Sequence, residues 1–557
     1  MTATRSIPDG TPPAGPPAPA LLSVRDLRVA YRTRGGVVNA VRGVDLDIAP
    51  GEILALVGES GSGKSTTAHA LIGLLPQGGR IDAGRIRFGG HHLSAGSESE
   101  FRALRGARIG LVPQDPAVSL NPVQRIGTQV AEVLRIHHRA SRRDANEAAL
   151  ELLARAGLPG PRALAARRPH ELSGGMRQRV LIAVAMAGEP ELIIADEPTS
   201  ALDVTVQQAI LDHLQALARD AGTALLLVTH DLGIAADRAD RIAVMSQGRI
   251  VESAPTAQLL SRPGDPYTRR LLGDTPRLDA VPVGLAPPPP PVPGRRPLLE
   301  AEHLTKDFPL PRSAHGPRTI RAVDDLNFTL HRGETVALVG ESGSGKSTTA
   351  RLLLRLTSPT AGRIHIHGED VTEARGRRLR ALRRRAQLVY QNPYASLDPR
   401  LTVHDVVAEP LRSFRVGDRA DRSAQVRALL QQVALPGSVL ARRPAELSGG
   451  QRQRVAIARA LALAPELVVC DEPVSALDVS VQAQILELLA ELQRETGVAY
   501  LFVTHDLAVV RQIAHRVLVM EAGRLVEAAP ADELFGAPGH AYTRRLLAAV
   551  PGRTWDR

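Results

Sequence analysis

An internal repeat constrains the fold of this chain more than any other feature. The ten residues from Gly58 to Thr67 recur unchanged from Gly340 to Thr349. Further segments recur downstream at one constant offset, and in the first copy they begin at Leu172, Asp196, Thr229 and Tyr267. A constant offset over such a long span indicates two duplicated domains, because the period is far too long for a solenoid.

A proline-rich segment from Ala286 to Gly294 separates the two copies. Such segments favour extended polyproline II structure and act as semi-rigid spacers. We therefore predict a first domain over residues 21–277, a linker over 278–296 and a second domain over 297–557. Residues 1–20 are rich in Pro, Gly and Ala and lack an apolar signal core, so we expect a disordered tail there.

Composition excludes several classes of protein. The single cysteine, Cys470, excludes a disulfide framework and a cysteine-based zinc or iron–sulfur site, and its apolar neighbours predict a packing role. The net charge of +11 comes mainly from arginines spread along the chain, so we expect no nucleic-acid partner. No apolar run reaches the roughly 20 residues that a membrane-spanning helix needs.

The hydrophobic pattern of the first copy alternates strands with helices. Strands are predicted within Val44 to Ile48, Ile53 to Val57, Leu192 to Ala195 and Ala224 to Val228, and a helix over Thr66 to Leu75. Continuous apolar strands that alternate with helical segments indicate a mostly parallel α/β sheet.

A glycine-rich loop with a lysine follows the first apolar strand of each copy and fits G-x-x-x-x-G-K-[ST]. Glycines in this setting let main-chain N–H groups surround phosphates at a helix N-terminus, so we predict two ATP-binding loops. Lys64 and Lys346 are expected to bridge the β- and γ-phosphates. The predicted residues are Gly58, Glu59, Ser60, Gly61, Ser62, Gly63, Lys64, Ser65 and Thr66, and Gly340, Glu341, Ser342, Gly343, Ser344, Gly345, Lys346, Ser347 and Thr348.

Lysine usage supports these two loops. Only three of the 69 basic residues are lysines, namely Lys64, Lys306 and Lys346. Two of the three occupy the loops, where a compact ammonium fits between phosphate oxygens better than a guanidinium does.

An Asp-Glu pair ends a later apolar strand in each copy. Asp196 and Asp471 are predicted to hold Mg²⁺ together with the loop serines Ser65 and Ser347. Glu197 and Glu472 are predicted general bases for an attacking water. By itself an Asp-Glu pair after a strand is equally consistent with an exposed turn, but a phosphate loop in the same domain favours the metal site.

Two further polar residues recur beside strands. His230 and His505 each follow an apolar strand in Val-Thr-His-Asp-Leu, which favours a γ-phosphate contact. Gln114 and Gln391 lie in Val-Pro-Gln-Asp-Pro and Val-Tyr-Gln-Asn-Pro, where an amide is able to contact both the metal and the water. We predict a catalytic role for all four, and metal contact for the two glutamines.

The segments Leu172 to Met176 and Leu447 to Gln451 resemble the signature of ABC ATPases. The resemblance covers nearly the whole chain. It implies two tandem ABC-type domains of α/β class, each with a RecA-like core, an antiparallel β subdomain and a helical subdomain.

The segments Ser200 to Asp203 and Ser475 to Asp478 look like the family's D-loops. Tyr31 and Phe308 lie where the family stacks an aromatic ring on adenine, although ordinary strand packing also explains Tyr31.

The family's arrangement implies that each ATP is enclosed by the loop of one domain and the signature of the other. The signature residues that would complete the sites are Ser173, Gly174 and Gly175, and Ser448, Gly449, Gly450 and Gln451. Both sites are expected to hydrolyse ATP in the presence of Mg²⁺. No iron–sulfur cluster is expected, because the chain lacks the cysteines that some relatives carry after the first domain.

The chain is more narrowly similar to the ATPases of dipeptide, oligopeptide and nickel importers. Gln114 to Pro122 and Gln391 to Pro399 resemble the two different ATPase subunits of such importers, and the Tyr-Thr pairs at Tyr267 and Tyr542 resemble their C-terminal extension. This resemblance implies two integral-membrane permease subunits, an extracytoplasmic solute-binding protein, and a peripheral location on the cytoplasmic face of the inner membrane. Peptides, glutathione-like thiols, nickel chelates and glycosides all stay open as substrates.

Three alternatives use similar motifs. A tandem ABC factor acting on ribosomes typically has a long helical arm between its domains, whereas the joint here is short and proline-rich. A DNA-repair ABC ATPase carries large insertions and zinc cysteines, and an exporter usually fuses its membrane helices to the ATPase. The sequence therefore favours the importer.

Overall fold

The computed structural model describes residues 20–33, 35–93, 98–141, 143–200, 202–279, 296–310, 319–475 and 477–552. Most of the predicted linker and tail lie outside these residues. The chain divides into two compact units. The first comprises the residues up to 198, with 213–229 and 238–256, and the second comprises 199–212, 230–237 and 257–557.

Each repeat contains an antiparallel sheet of four strands. In the first repeat its order is β2-β1-β4-β5, and in the second it is β12-β11-β14-β15. The strands are β1 Leu22–Thr33, β2 Gly36–Ile48, β4 Gly79–Phe88 and β5 His91–His92, and β11 Leu299–Pro309, β12 Thr319–Leu330, β14 Ala361–Ile366 and β15 Glu369–Asp370.

Each repeat also contains a mostly parallel sheet of six strands, ordered β10-β9-β3-β8-β7-β6 and β20-β19-β13-β18-β17-β16. Only the edge strands β10 and β20 run antiparallel to their neighbours. The strands are β3 Ile53–Val57, β6 Ile109–Val112, β7 Leu192–Asp196, β8 Ala224–Thr229, β9 Arg241–Ser246 and β10 Arg249–Pro255, and β13 Thr335–Val339, β16 Ala386–Val389, β17 Leu467–Asp471, β18 Ala499–Thr504, β19 Arg516–Glu521 and β20 Arg524–Pro530.

Helices connect these strands in a matching order in both repeats, except that α6 of the first repeat has no α-helical counterpart among the described residues of the second. Those of the first repeat are α1 Lys64–Leu71, α2 Glu98–Leu104, α3 Pro116–Ser119, α4 Ile126–Ile136, α5 Ala145–Arg155, α6 Pro161–Ala165, α7 Gly174–Met186, α8 Val204–Asp220, α9 Leu232–Arg238, α10 Thr256–Ser261 and α11 Pro266–Asp274. Those of the second are α12 Lys346–Leu353, α13 Gly376–Arg385, α14 Pro393–Ser396, α15 Val403–Ser413, α16 Arg419–Gln432, α17 Gly449–Leu461, α18 Val479–Thr496, α19 Leu507–Ile513, α20 Ala531–Gly536 and α21 Ala541–Ala548.

The central parallel strands lie in the core. Every residue of β3, β7 and β8, and of their counterparts β13, β17 and β18, is buried. Strands covered on both faces need apolar residues at every position, which explains their unbroken hydrophobic runs. Their carboxyl ends carry the loops and acidic pairs that the sequence singled out.

The sequence-based prediction of a mostly parallel sheet is confirmed, and so are the strands at Ile53, Leu192 and Ala224. The predicted helix over Thr66 to Leu75 is wrong at both ends, because α1 begins at Lys64 and ends at Leu71. Gly73 adopts a left-handed φ of 63°, which ends the helix before Pro76. Across the described residues, no helix has the length and apolar character needed to cross a membrane.

The burial of Cys470 gives a test of the second repeat's core. Its side chain is fully buried in β17, and burial raises the pKa of the thiol, which suppresses the reactive thiolate. We predict negligible labelling by a thiol reagent in native buffer and one labelled thiol per chain in denaturant. Cys470→Ala should show no labelling in either state. Rapid labelling of the native wild-type chain would contradict this packing.

Candidate functional site

The two glycine-rich loops connect β3 to α1 and β13 to α12. The glycine that opens each loop accepts no side chain, because a Cβ at Gly58 or Gly340 would lie 2.1 Å from the carbonyl oxygen of Met245 or Met520. The last glycine of each loop caps the following helix with a φ of 105°. These constraints direct the helix N-terminus and its free N–H groups into the loop.

Both loop lysines are buried and held by their own loop. Lys64 is 4% exposed, and its Nζ donates hydrogen bonds to the carbonyl oxygens of Gly58 and Glu59 at 2.7 and 3.0 Å. Lys346 is 5% exposed and donates to Gly340 and Glu341, both at 2.8 Å. Burial lowers the pKa of Lys346, whereas the carboxylates of Glu472 and Asp471 oppose this shift. Each ammonium is thus fixed in position before any anion arrives.

The loops leave a buried hydroxyl without a partner. Among the described residues, neither Ser62 Oγ nor Ser344 Oγ has a hydrogen-bond partner, although both atoms are buried. Leaving such a hydroxyl unpaired costs about 1–3 kcal/mol. Its occurrence at the same position of both loops fits a site built for an anionic ligand, so the loops fit a nucleotide phosphate.

A serine and a buried aspartate meet beside each lysine. Ser65 Oγ donates to Asp196 Oδ1 and Ser347 Oγ donates to Asp471 Oδ1, both at 2.9 Å. Burial raises the pKa of both carboxyls, and the serine hydrogen bonds oppose this shift. Hard oxygen ligands of this type suit Mg²⁺, whose charge would offset the burial of the carboxylate.

The neighbouring glutamates adopt a strained backbone conformation. Glu197 and Glu472 have left-handed φ values of 45° and 48°, which cost of order 1–3 kcal/mol for a residue with a side chain. Their amides still bond to the next strand, at Val228 and Val503. In this conformation each carboxylate accepts a hydrogen bond of 2.8 Å, from Gln114 Nε2 in the first repeat and Gln391 Nε2 in the second.

His505 completes the cluster of the second repeat. Its Nδ1 lies 3.2 Å from Glu472 Oε1. Burial alone would raise the pKa of Glu472, but the hydrogen bond and charge of His505 outweigh it and lower that pKa. Burial likewise lowers the pKa of His505, but Glu472 outweighs it and raises that pKa. His230 directly follows β8, as His505 follows β18.

The remaining predicted residues have different surroundings. Tyr31 lies beside the first loop, with its hydroxyl 3.3 Å from Thr66 Oγ1, whereas Phe308 is 36% exposed and packs against Lys306.

Ser173 and Ser448 cap α7 and α17 by accepting hydrogen bonds from the amides of Met176 and Gln451, both at 3.3 Å. Ala201 and Ala476 of the D-loops lie outside those residues.

Two residues at the second loop were not identified as site residues from the sequence. Tyr542 Oη accepts a hydrogen bond of 3.0 Å from the amide of Glu341, and Thr205 Oγ1 lies 2.6 Å from Glu341 Oε1. Both belong to the second compact unit together with that loop. The repetition of the Tyr-Thr pair at Tyr267 and Tyr542 was a signal for the first of them, but its spacing does not reveal the contact.

Comparison with known proteins identifies the family of this chain. The ABC transporter family model matches residues 41–200 and 323–475, which contain both loops and both Asp-Glu pairs. The model of the oligopeptide/dipeptide transporter C-terminal region matches residues 251–297 and 526–555. The chain belongs to the ABC transporter family and is an ATP-binding protein with two ABC ATPase domains.

Two relatives match along nearly their whole length. The oligopeptide transport ATP-binding protein OppD of Mycobacterium tuberculosis is 44% identical over 95% of this chain and 98% of its own. The glutathione import ATP-binding protein GsiA of Escherichia coli is also 44% identical, over 95% of this chain and 89% of its own. Among solved structures, the dimeric bacterial ABC transporter cassette MJ0796 is 29% identical, with a TM-score of 0.39, and covers 42% of this chain and 98% of its own.

The unpartnered serines generate a prediction that separates binding from stability. Ser62→Ala and Ser344→Ala remove a hydroxyl that has no partner among the described residues, so the melting temperature without nucleotide should stay the same or rise. Loss of a phosphate contact should weaken binding of a fluorescent ATP analogue about three- to tenfold at the altered loop.

A matched control is Thr268→Val, which removes another buried and unpartnered hydroxyl, in α11. It should leave nucleotide affinity unchanged. Wild-type affinity in both serine variants would contradict the assignment of these hydroxyls to a phosphate.

Proposed function

We propose that each repeat binds and hydrolyses ATP with Mg²⁺ and that the chain uses this energy to drive solute uptake through separate permeases. The observation that carries the first part is the identical cluster in both repeats, in which the loop lysine, the Ser-Asp pair and the Gln-Glu pair lie together. We further propose that the repeats correspond to domains over 21–277 and 297–557, joined by the linker 278–296.

In this proposal the loop amides and the lysine hold the β- and γ-phosphates. Mg²⁺ on the serine and aspartate would neutralise charge on the phosphate oxygens. Glu197 or Glu472 orients a water molecule and accepts its proton while the water oxygen bonds to the γ-phosphorus and the bond to the β,γ-bridging oxygen breaks. Gln114 and Gln391 fix the direction of these carboxylates, and His505 keeps Glu472 ionised, since it lowers the pKa of that carboxyl. His230 and His505 are the proposed γ-phosphate contacts.

We also propose that each nucleotide is enclosed by the signature of the opposite repeat. Ser448 to Gln451 would complete the site at Lys64, and Ser173 to Met176 would complete the site at Lys346. The match of both repeats to the ABC transporter family supports this proposal. Closure around ATP and release after hydrolysis would then transmit force to an attached partner.

The similar proteins support a function of this chain in solute import. OppD and GsiA are named for oligopeptide transport and glutathione import, so peptides or related small solutes are the proposed substrates. The proposed partners are two integral-membrane permeases and an extracytoplasmic solute-binding protein. The chain would act as a peripheral translocase ATPase on the cytoplasmic face of the inner membrane. We expect no iron–sulfur cluster, since the sequence has one cysteine.

Single substitutions test whether both sites hydrolyse ATP. Glu197→Gln and Glu472→Gln keep the shape of the side chain but remove the base, so each should reduce steady-state ATP turnover at least tenfold at its own site. Glu189→Gln is a matched control, because Glu189 is also a glutamate with left-handed φ but lies outside the cluster. A turnover rate unaffected by one of the two site variants would show that its site does not hydrolyse ATP.

Copurification tests the transport proposal. A tagged Glu197→Gln/Glu472→Gln variant should trap the ATP-bound state in its native host. Gentle solubilisation with ATP should then recover two polytopic membrane proteins in stoichiometric amounts. Recovery of ribosomes or DNA-repair proteins without permeases would refute the importer and favour an ABC ATPase that acts on nucleic-acid machinery.

A further inference from the structure

The C-terminal extension of the second repeat reaches its own phosphate loop. The extension begins after β20, and its helix α21 carries Tyr542 in the first turn. This tyrosine is 2% exposed and packs in the hydrophobic cluster that contains Val339, the residue directly before the loop. Its hydroxyl accepts the Glu341 amide hydrogen at 3.0 Å.

The position of Tyr542 is fixed by its surroundings. His540 Nδ1 caps α21 by accepting from the Tyr542 amide at 3.2 Å. The amides of Gly539 and His540 donate to the carboxylate of Glu527 in β20, at 2.7 and 3.0 Å. The extension is therefore anchored to the edge strand of the parallel sheet, and the tyrosine has little freedom to move independently of that sheet.

Glu341 is the loop residue on which these contacts converge. Its amide donates to Tyr542, and its carbonyl oxygen accepts from Lys346 Nζ and from the amide of Ser344, the latter at 3.1 Å. A rotation of the peptide that carries the Glu341 amide would also disturb the loop that holds the lysine. Burial raises the pKa of Tyr542 to about 12, so the group is a neutral hydroxyl at neutral pH, and its oxygen accepts this hydrogen bond through a lone pair.

We propose that Tyr542 is a positioning residue, which holds the second phosphate loop in its nucleotide-binding conformation through the Glu341 amide. This gives the extension a role in nucleotide affinity at the Lys346 site, and it rests on the proposed function of that site. Tyr542 does not itself contact the phosphates. Loss of its hydroxyl allows the loop to sample conformations that do not bind nucleotide. The apparent affinity for nucleotide then falls in proportion to the fraction of molecules that keep the binding conformation.

Tyr542→Phe tests this role while it preserves packing, and the second repeat offers a matched control. Tyr500 in β18 is 1% exposed and its hydroxyl has no partner among the described residues, so Tyr500→Phe makes the same chemical change without the loss of a hydrogen bond. Both variants are made in the full chain with Lys64→Ala, so that binding of fluorescent methylanthraniloyl-ATP reports the second loop.

We expect Tyr542→Phe to weaken binding about three- to tenfold and Tyr500→Phe to leave it unchanged. In the chain with Lys64 intact, KM for ATP should rise while kcat stays within about twofold. Hydrogen exchange of the peptide over 335–345 in the nucleotide-free protein should quicken in Tyr542→Phe only.

Equal affinities for Tyr542→Phe and Tyr500→Phe would overturn the inference, even if exchange quickened. A different result would show that the second loop is not a nucleotide site. If Lys346→Ala in the same background left binding unchanged, the second loop would not be the nucleotide site, and the role of Tyr542 in affinity would be refuted together with it. Loss of binding in Lys346→Ala with wild-type affinity in Tyr542→Phe refutes the inference alone.

Discussion

The site depends on one constraint, the burial of a charged lysine at the start of the helix that follows the central strand. An ammonium removed from water needs hydrogen-bond acceptors, and the loop supplies its own carbonyl oxygens to Lys64 and Lys346. The loop must therefore fold back on itself, and only glycine fits at Gly58 and Gly340, where an added Cβ would lie 2.1 Å from the carbonyl oxygen of Met245 or Met520. The same fold-back leaves the helix N-terminus open to an anion, so the preference for phosphate follows from the way the lysine is stabilised.

The acidic pairs show how the sheet positions the proposed catalytic groups. Asp471 is the last residue of β17 and points to the loop serine, while Glu472 keeps its amide bond to Val503 but turns left-handed. Two adjacent carboxylates thus take different environments. The buried aspartate, with a raised pKa, suits a cation, and the glutamate, with a pKa lowered by His505, stays ready to accept a proton.

The sequence predicted the position of those elements of the proposed site that are local. The loops, the Asp-Glu pairs and the buried strands depend on short segments, so their patterns were sufficient. The helix after Lys64 was predicted too long, because its apolar residues continue past Gly73, where the backbone turns. The contacts of Tyr542 and Thr205 with Glu341 join segments far apart in sequence. They depend on packing, and a single sequence carries no direct signal of packing.

The central claim is that the chain contains two separate nucleotide sites, each centred on one loop lysine. Equilibrium binding of a non-hydrolysable ATP analogue with Mg²⁺ tests it most directly, with wild-type, Lys64→Ala and Lys346→Ala chains compared by calorimetry. We predict two bound nucleotides per wild-type chain, one per chain in either single variant and none in the double variant. One nucleotide per wild-type chain, or two in a single lysine variant, would contradict it.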